Sequence, residues 1–418
     1  MKRRVAISGL GVISSIGNNK DIFFESLKQG KTGVREYENE TYPNYKRSKG
    51  EPNLVGYIEF EPQKYFSDKE ISIHPLPILM VLKAIDEAVL DARIDSTAEK
   101  IGVILGTAVA PHPSYDRLNA SLKAYGKADI KFLPSPQYYP SYIMEFLTQT
   151  FVEVVMKKYG FQGEGYGISG ICASGALSVC LGARLIQYGL ADTMVCCGSD
   201  FFYPMQSKVF SRFKLLCSEK CRPFDKRRAG FQLGEGVGVV VLEQLDKAKE
   251  KGCHIYGEIV GLGITNDAYH LVIPSSNGKE FARAISIAVE EAKVNPDTLD
   301  YVSPVGRGCK VGDLKEAHGL HIALGKKVAE SVPVNSIVPN CGYTLGATTI
   351  LNLISTILQM NENHIFPVLN TESLDPKCKL NVIMKESLRK EIDLALVCGF
   401  AFSGINSAIV VRKYFRNK

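Results

Sequence analysis

The sequence predicts an α/β fold built from two similar halves, and three observations support this. Short runs of β-branched residues punctuated by glycine alternate with longer segments whose apolar residues recur every three or four positions. Segment 257–264 repeats the pattern of segment 5–13. The chain's 418 residues suffice for two ordinary domains or one large duplicated unit. We expect an N-terminal half at 1–250 and a C-terminal half at 251–418.

The predicted elements follow one another in an order typical of helices covering sheets. Strands are expected at 5–8, 101–106, 193–198, 237–242, 258–260, 394–400 and 408–411. Helices are expected at 79–92, 176–188, 281–292 and 350–360. The Gly-x-Gly pairs of the repeated segment resemble the start of a dinucleotide site. Ser14 and Asn266 stand where the third glycine would be, so we expect no such cofactor.

Composition excludes several classes of protein. With 45% hydrophobic and 22% charged residues, the chain is typical of globular proteins, not of disordered chains, collagens or coiled coils. The net charge of +6 is mild, tryptophan is absent, and no basic stripe is interleaved with aromatic residues, so nucleic acid is not expected as a partner. The basic clusters at 2–4, 226–228 and 412–418 are interpreted as ordinary solvated charges, and an acidic protein partner is compatible with them.

Location and metal content are predicted from what the sequence lacks. The N-terminus has no secretory signal pattern, and the apolar stretches are shorter than the roughly 20 residues of a membrane helix, so we expect a cytoplasmic protein without membrane spans. The eleven cysteines are expected to be free thiols. Cys217 and Cys221 have no second ligand pair at zinc spacing, so no metal is expected.

Cys172 lies in the most informative segment, Gly-Ile-Cys-Ala-Ser-Gly-Ala-Leu-Ser at 170–178. Small residues such as Ala173 and Gly175 allow an extended segment to turn tightly into a helix. The partial positive charge of the helix N-terminus would favour a thiolate, as a nucleophile requires. The alternative, a cysteine that only packs against a helix, is equally open on spacing alone.

Four motifs in order resemble the β-ketoacyl synthase family. They are Cys-Ala-Ser-Gly at 172–175, the segment 221–236, Asp-Ala-Tyr-His at 267–270 and the loop 399–406. The resemblance implies the thiolase fold, a duplicated five-layered α/β/α/β/α unit that works as a dimer and receives acyl chains from acyl carrier protein. It also implies that Phe400 and Phe402 belong to a gating loop at the acyl pocket.

The family's remaining catalytic positions are altered. Its His-Gly-Thr-Gly-Thr loop corresponds to 305–309, so Val305 replaces the first histidine, and Arg307 and Cys309 replace the threonines. Val338 replaces the lysine and Tyr343 the second histidine. In the family the histidines stabilise the enolate formed when a malonyl thioester loses carbon dioxide. Each lost donor typically costs about a hundredfold in rate, so unaided condensation is not expected.

His318 is followed by glycine, as a catalytic histidine of the family would be. Asp313 and Glu316 fix the register of this segment, so His318 and His321 are assigned to a helix after the active-site loop and not to the site itself.

A chain with these losses looks like the chain length factor, or ketosynthase β subunit, of type II polyketide synthases. The resemblance implies a heterodimer with a catalytic ketosynthase α subunit, in which this chain shapes the tunnel for a polyketide, polyene or similar chain. Typical chain length factors also replace the cysteine, so the intact Cys172 keeps an alternative open. That alternative is a Cys172-dependent acyltransferase or non-elongating ketosynthase acting on acyl-carrier-protein thioesters. A thiolase-like enzyme using Cys341 or Cys398 is disfavoured.

Tunnel and interface residues are predicted in the sequence before the tight turn at Cys172. The aromatic segment containing Tyr138, Tyr142 and Phe146 matches a family segment near the dimer interface, and tyrosines bury large areas at low entropic cost. Leu118 and Leu122, at helical spacing, are candidates to cap the tunnel.

Overall fold

The computed structural model describes residues 2–37, 52–95, 100–109 and 147–415. The strands are β1 Val5–Ser14, β2 Val34–Glu36, β3 Leu54–Gly56, β4 Ile101–Gly106, β5 Gly165–Ile168, β6 Thr193–Asp200, β7 Leu233–Gly234, β8 Gly236–Gln244, β9 Gly257–Asn266, β10 Tyr301–Ser303, β11 Pro333–Val334, β12 His364–Ile365, β13 Asn381–Val382, β14 Leu388–Arg389, β15 Leu394–Phe400 and β16 Ile405–Arg412. The α-helices are α1 Lys20–Lys28, α2 Asp68–Ile73, α3 Leu76–Asp91, α4 Thr148–Tyr159, α5 Ser174–Gln187, α6 Pro204–Arg212, α7 Leu245–Lys251, α8 Lys279–Ala292, α9 Lys310–Leu324, α10 Lys326–Ser331, α11 Val338–Cys341 and α12 Thr348–Glu362. The predicted strands and helices all fall on these elements.

The main sheet consists of two mixed halves with matching topology. Its strand order is β13-β11-β10-β15-β16-β9-β1-β8-β6-β4-β5, and the halves meet where β1 pairs with β9 in antiparallel register. Helix α3 covers the outer face of the first half and α8 that of the second, while α5 and α12 lie between the halves. These five layers are the duplicated α/β/α/β/α arrangement expected from the sequence.

Glycines in the repeated segment explain why the two halves share a sequence pattern. A Cβ placed on Gly11 of β1 would come within 1.9 Å of the Ala84 carbonyl oxygen of α3. A Cβ on Gly263 of β9 would come within 1.9 Å of the Ala284 carbonyl oxygen of α8. The glycines therefore allow one helix to lie directly against each strand, which is a packing role.

Each half also contains a short elbow that leads into its central helix. Ile171 begins the first elbow at φ 51° and Leu345 the second at φ 46°, both in the left-handed region that is costly for branched or bulky residues. The helices that follow, α5 and α12, approach closely, since a Cβ on Gly175 would lie 2.6 Å from the Gly346 carbonyl oxygen. The two elbows thus meet at the centre of the molecule.

The interpretation of the cluster 226–228 as solvated charge is wrong for Arg228. Its side chain is buried and forms ion pairs with Asp313, at 3.6 Å, and with Asp375, at 2.8 Å. Lys226 and Arg227 are exposed, as expected. Charge counts along the chain do not distinguish the two cases, because burial depends on the carboxylates that the fold brings alongside.

No helix among the described residues is both long and apolar enough to span a bilayer. Within the same ranges, no three His, Cys, Asp or Glu side chains are grouped as metal ligands.

Candidate active site

Cys172 lies within the one-turn elbow Ile171–Ala173 that opens α5, and its side chain is buried. The Ser174 hydroxyl fixes this elbow, because it accepts a hydrogen bond from Gly170 N at 2.9 Å and lies 3.0 Å from the Thr107 carbonyl oxygen, to which it can donate. The predicted turn of an extended segment into a helix is therefore present, with the sulfur at the helix N-terminus.

The environment of the sulfur differs from the expected thiolate site. Burial raises the pKa of the Cys172 thiol above its ordinary value. The Arg307 charge, the Tyr343 hydroxyl and the backbone N–H of Phe402 lower that pKa, but they do not outweigh burial. Burial therefore opposes the thiolate form that the helix N-terminus would favour, and the pKa of Cys172 shifts towards the neutral thiol. Its activation depends on the groups around it.

Arg307 is the functional side chain that the sequence reasoning missed. Its guanidinium is buried, donates to Tyr343 Oη at 3.1 Å, and lies over the rings of Phe400 and Phe402 at 4.0 Å and 5.1 Å from their centroids. It forms no ion pair with any carboxylate of the described residues. The sequence showed only that arginine replaces a threonine of the family loop, not that its charge reaches the cysteine.

The loop that carries Val305 is held from both sides. The carboxylate of Glu316 accepts hydrogen bonds from Val305 N at 2.6 Å and Gly306 N at 2.8 Å. The Ser336 hydroxyl donates to the Val305 carbonyl oxygen at 2.7 Å. Burial raises the pKa of Glu316 to about 8. The loop geometry is therefore firmly supported, while Val305 itself offers no side-chain donor.

Val338 and Tyr343 flank the same space. Val338 begins α11 and is buried, and Tyr343 is fully buried with its ring 4.8 Å from that of Phe231. Burial raises the pKa of Tyr343 well above its ordinary value, so its hydroxyl keeps its proton and can donate to the sulfur of Cys172. Cys172, Val305, Val338, Tyr343 and Phe400 all belong to one buried apolar cluster.

No hydrogen bond, ion pair or ring contact joins a histidine of the described residues to Cys172, Arg307 or Tyr343. His318 and His321 lie on α9, as the register predicted, with Nδ1 atoms 3.2 Å from the Ser276 and 2.7 Å from the Ala317 carbonyl oxygens. Cys341 belongs to a different apolar cluster, which gives the thiolase-like alternative no support from this side chain.

A second buried ion pair supports the loop after β15, for which the family resemblance predicted a gating role. Lys315 Nζ lies 2.7 Å from Asp267 Oδ2, and the side chains of this pair are 0% and 2% exposed. Asp267 also accepts hydrogen bonds from Asn406 Nδ2 at 2.9 Å and from Ser275 N at 2.8 Å. These bonds tie the loop after β15 to the segment after β9, and so fix where Phe400 and Phe402 lie.

A cavity of about 650 Å³ opens at the surface and reaches Arg307 beside this cluster, but Cys172 and Tyr343 are not among the residues that line it. Arg307, Phe402 and Cys309 lie along its inner part, and its wall includes Phe213 and Ile273. Exposed basic residues at its mouth are Lys214, Lys226, Arg227 and Lys310. The predicted tunnel and interface residues fall outside the described residues; they are Leu118, Leu122, Tyr138, Tyr142 and Phe146.

Comparison with known families decides the identity of the fold. The model for the β-ketoacyl synthase N-terminal domain matches residues 2–248, and that for the C-terminal domain matches residues 256–372. The chain belongs to the β-ketoacyl synthase family. It is 28% identical to the 3-oxoacyl-[acyl-carrier-protein] synthase 2 of Vibrio harveyi over 99% of both chains. It is 30% identical to the tetracenomycin polyketide synthase ketoacyl synthase alpha subunit of Streptomyces glaucescens, over 99% of this chain and 97% of that one.

Two solved structures resemble this synthase-family chain over nearly its whole length. One is the ishigamide ketosynthase/chain length factor, with a TM-score of 0.88, 26% identity and coverage of 99% of this chain and 100% of that chain. The other, AntDE:AntF, is a type II polyketide synthase acyl-carrier protein in complex with its ketosynthase bound to the hexaketide, with a TM-score of 0.86 and the same identity and coverage.

Proposed function

We propose that this chain is a non-condensing, chain-length-factor-like subunit of a type II polyketide or related synthase, which pairs with a catalytic ketosynthase. One observation carries the proposal. An intact Cys172 shares one buried apolar cluster with Val305, Val338 and Tyr343, which stand at the three positions where the family resemblance implies two imidazoles and an ammonium group.

The chemistry of these side chains supports a non-condensing role. Loss of carbon dioxide from a malonyl thioester leaves negative charge on an enolate oxygen, which needs donors aimed at it. Val305 and Val338 have none, and the Tyr343 hydroxyl is already committed to Arg307 and Cys172. With about a hundredfold lost for each missing donor, two or more losses reduce condensation at least about ten-thousandfold.

An exposed sheet edge supports pairing with a second chain. Strand β5 ends the main sheet, and its outer side has no neighbouring strand among the residues described. Tyr166 in β5 is 42% exposed, and two glycines beside it leave the backbone accessible. Unprotected edges of this kind are normally covered in a native assembly. A ketosynthase partner bound here would continue the sheet.

The basic mouth of the cavity supports acyl carrier protein as a second partner. Lys214, Lys226 and Lys310 surround an opening whose wall carries the half-exposed Phe213. A positive rim around an apolar opening is complementary to an acidic protein that delivers an apolar chain.

The test is carbon dioxide release from labelled malonyl-acyl carrier protein. We expect the purified chain to release none above background. The V305H/V338K/Y343H variant restores the missing groups and should release carbon dioxide measurably, and a matched variant that also carries C172A controls for condensation at the cysteine. Robust chain extension by the unaltered chain would refute the proposal.

Native mass spectrometry of the tagged chain from its producing cells should show a second, different ketosynthase-sized subunit.

A second candidate function is acyl transfer by Cys172 without decarboxylation. The Phe402 N–H and the elbow itself favour it, because a backbone donor beside a nucleophile can hold the oxyanion of a tetrahedral intermediate. The Cys172 sulfur would bond to the acyl carbon as the thioester C–S bond breaks, and the thiol proton would pass to the departing thiol. Mass spectrometry should then find an acyl group on Cys172, and C172A should abolish transfer; an unacylated Cys172 refutes this candidate.

A further inference from the structure

The guanidinium of Arg307 is a buried charge that forms no ion pair with a carboxylate of the described residues. Its side chain is 2% exposed, yet within the described ranges its polar contact is the single hydrogen bond to Tyr343 Oη, and its other neighbours are aromatic rings. Arginine remains protonated in proteins and carries five N–H donors. A buried cation without a carboxylate partner is costly, and an anionic ligand would remove that cost.

Arg307 is accessible to such a ligand, because it lines the inner part of the 650 Å³ cavity. Other charged side chains buried nearby already have partners. Lys315 is paired with Asp267, and Arg228 with Asp313 and Asp375. Arg307 is thus the buried cation on this wall that is left to bind an incoming group.

The distance from Arg307 to Cys172 limits the size of that group. Arg307 Nη1 is 3.1 Å from Tyr343 Oη, and the Tyr343 hydroxyl lies near enough to the Cys172 sulfur to lower the pKa of that thiol. Two successive contacts of hydrogen-bonding length span at most about 7 Å. A thioester whose carbonyl lies at the sulfur therefore reaches the guanidinium with a carboxylate only if about one to three methylene groups separate the two.

We infer that Arg307 binds the free carboxylate of a short dicarboxylic acyl thioester, of succinyl size, whose carbonyl lies at Cys172. This rests on the proposed function, in which the site does not decarboxylate, and it adds the substrate class. An ion pair with a guanidinium stabilises the carboxylate in the ground state, so it opposes loss of carbon dioxide. The acyl group keeps its charge, and a neutral acyl chain of the same length leaves Arg307 unpaired.

The test uses matched ligands on the full chain. The probes are pantetheine analogues in which an amide replaces the thioester, so that no acyl group can transfer, carrying succinyl, the neutral succinamoyl or butanoyl. By titration calorimetry we expect the succinyl analogue to bind about tenfold or more tightly than the succinamoyl analogue, because hydrogen bonds between charged groups are the stronger ones. Arg307→Met should abolish this preference, and Arg307→Lys should retain part of it.

The controls separate a lost charge from a lost fold. Arg307→Met must still bind the butanoyl analogue and melt cooperatively, which shows that the variant is folded. The comparison of the succinyl and succinamoyl analogues on the unaltered chain tests the charge preference without any substitution. Equal affinity for these two ligands, no binding of the succinyl analogue at millimolar concentration, or an unchanged preference in Arg307→Met would each overturn the inference. Release of carbon dioxide from malonyl-acyl carrier protein would instead refute the proposed function, even if the charge preference were found.

Discussion

Removing the Tyr343 hydroxyl should slow alkylation of Cys172. The hydroxyl keeps its proton because burial raises the pKa of Tyr343, and its hydrogen bond favours the thiolate form of Cys172. Tyr343→Phe deletes that donor and leaves the Arg307 charge in place. The pKa of Cys172 then rises further, so less thiolate is present at any pH below it.

The size of the effect follows from two opposing terms. A hydrogen bond to a charged acceptor is worth about 1.5–3 kcal/mol, which reduces the thiolate population. A more basic thiolate is a better nucleophile, with a Brønsted coefficient of about 0.4–0.5, so nearly half of the loss is recovered. The net expectation is roughly four- to fifteenfold slower alkylation at a fixed pH near 8.

The assay is the rate of iodoacetamide labelling, followed by peptide mass spectrometry. Cys180 is the internal control, since it lies on α5, the helix that follows the elbow, is also buried, and belongs to a different apolar cluster from Cys172 and Tyr343. Its labelling reports any general loosening of the fold. Labelling of Cys172 that is as fast in Tyr343→Phe as in the unaltered chain, with Cys180 unchanged, would show that the hydroxyl does not act on the sulfur.

Three further predictions concern stability. Lys315→Met leaves the Asp267 carboxylate buried and unpaired, so urea unfolding should show that the free energy of unfolding falls by about 3–5 kcal/mol. The K315M/D267N double variant should recover part of this loss, and equal stabilities of the single and double variants would contradict the prediction. Gly263→Ala should cost about 1–3 kcal/mol in the same assay, because its Cβ would come within 1.9 Å of the Ala284 carbonyl oxygen; an unchanged midpoint would show that α8 can move away. Burial raises the pKa of Glu316 from 4.5 to about 8, so the folded state keeps a proton that the unfolded state has released, and the stability contribution falls as the pH rises between these values. Glu316→Gln should therefore make the free energy of unfolding fall less steeply with pH in this range, by up to about 1.4 kcal/mol per pH unit. Parallel stability–pH curves for the variant and the unaltered chain would contradict this.

Much of the architecture was predictable from local patterns. The strand and helix periodicities gave the right elements, since the alternation of β-branched runs with helical patterns reflects burial on sheets covered by helices. The repeated Gly-x-Gly segments predicted the duplication. The structure explains why the glycines recur, since they allow α3 to pack closely on β1 and α8 on β9. The elbow at Cys172 was also predictable, because small residues are required where two central helices approach.

The site itself was predictable only in part. Motif order located Val305, Val338 and Tyr343, and they lie in one cluster with Cys172. The protonation state of the sulfur was not predictable, because it depends on how deeply the fold buries that atom. The buried ion pairs of Arg228 were missed for the same reason, since their acidic partners are distant in the sequence.

The sequence by itself thus determined the family and the duplicated fold, because these depend on residue identity at positions fixed by motifs. Only the tertiary structure decided what occupies the vacated space. Arg307 is a threonine replacement in the linear pattern, but in the folded chain its guanidinium lies among Phe400, Phe402 and Tyr343, at the inner end of the cavity. The direction of a long side chain, and whether a carboxylate pairs with it, are set by packing between distant segments, which no local pattern encodes.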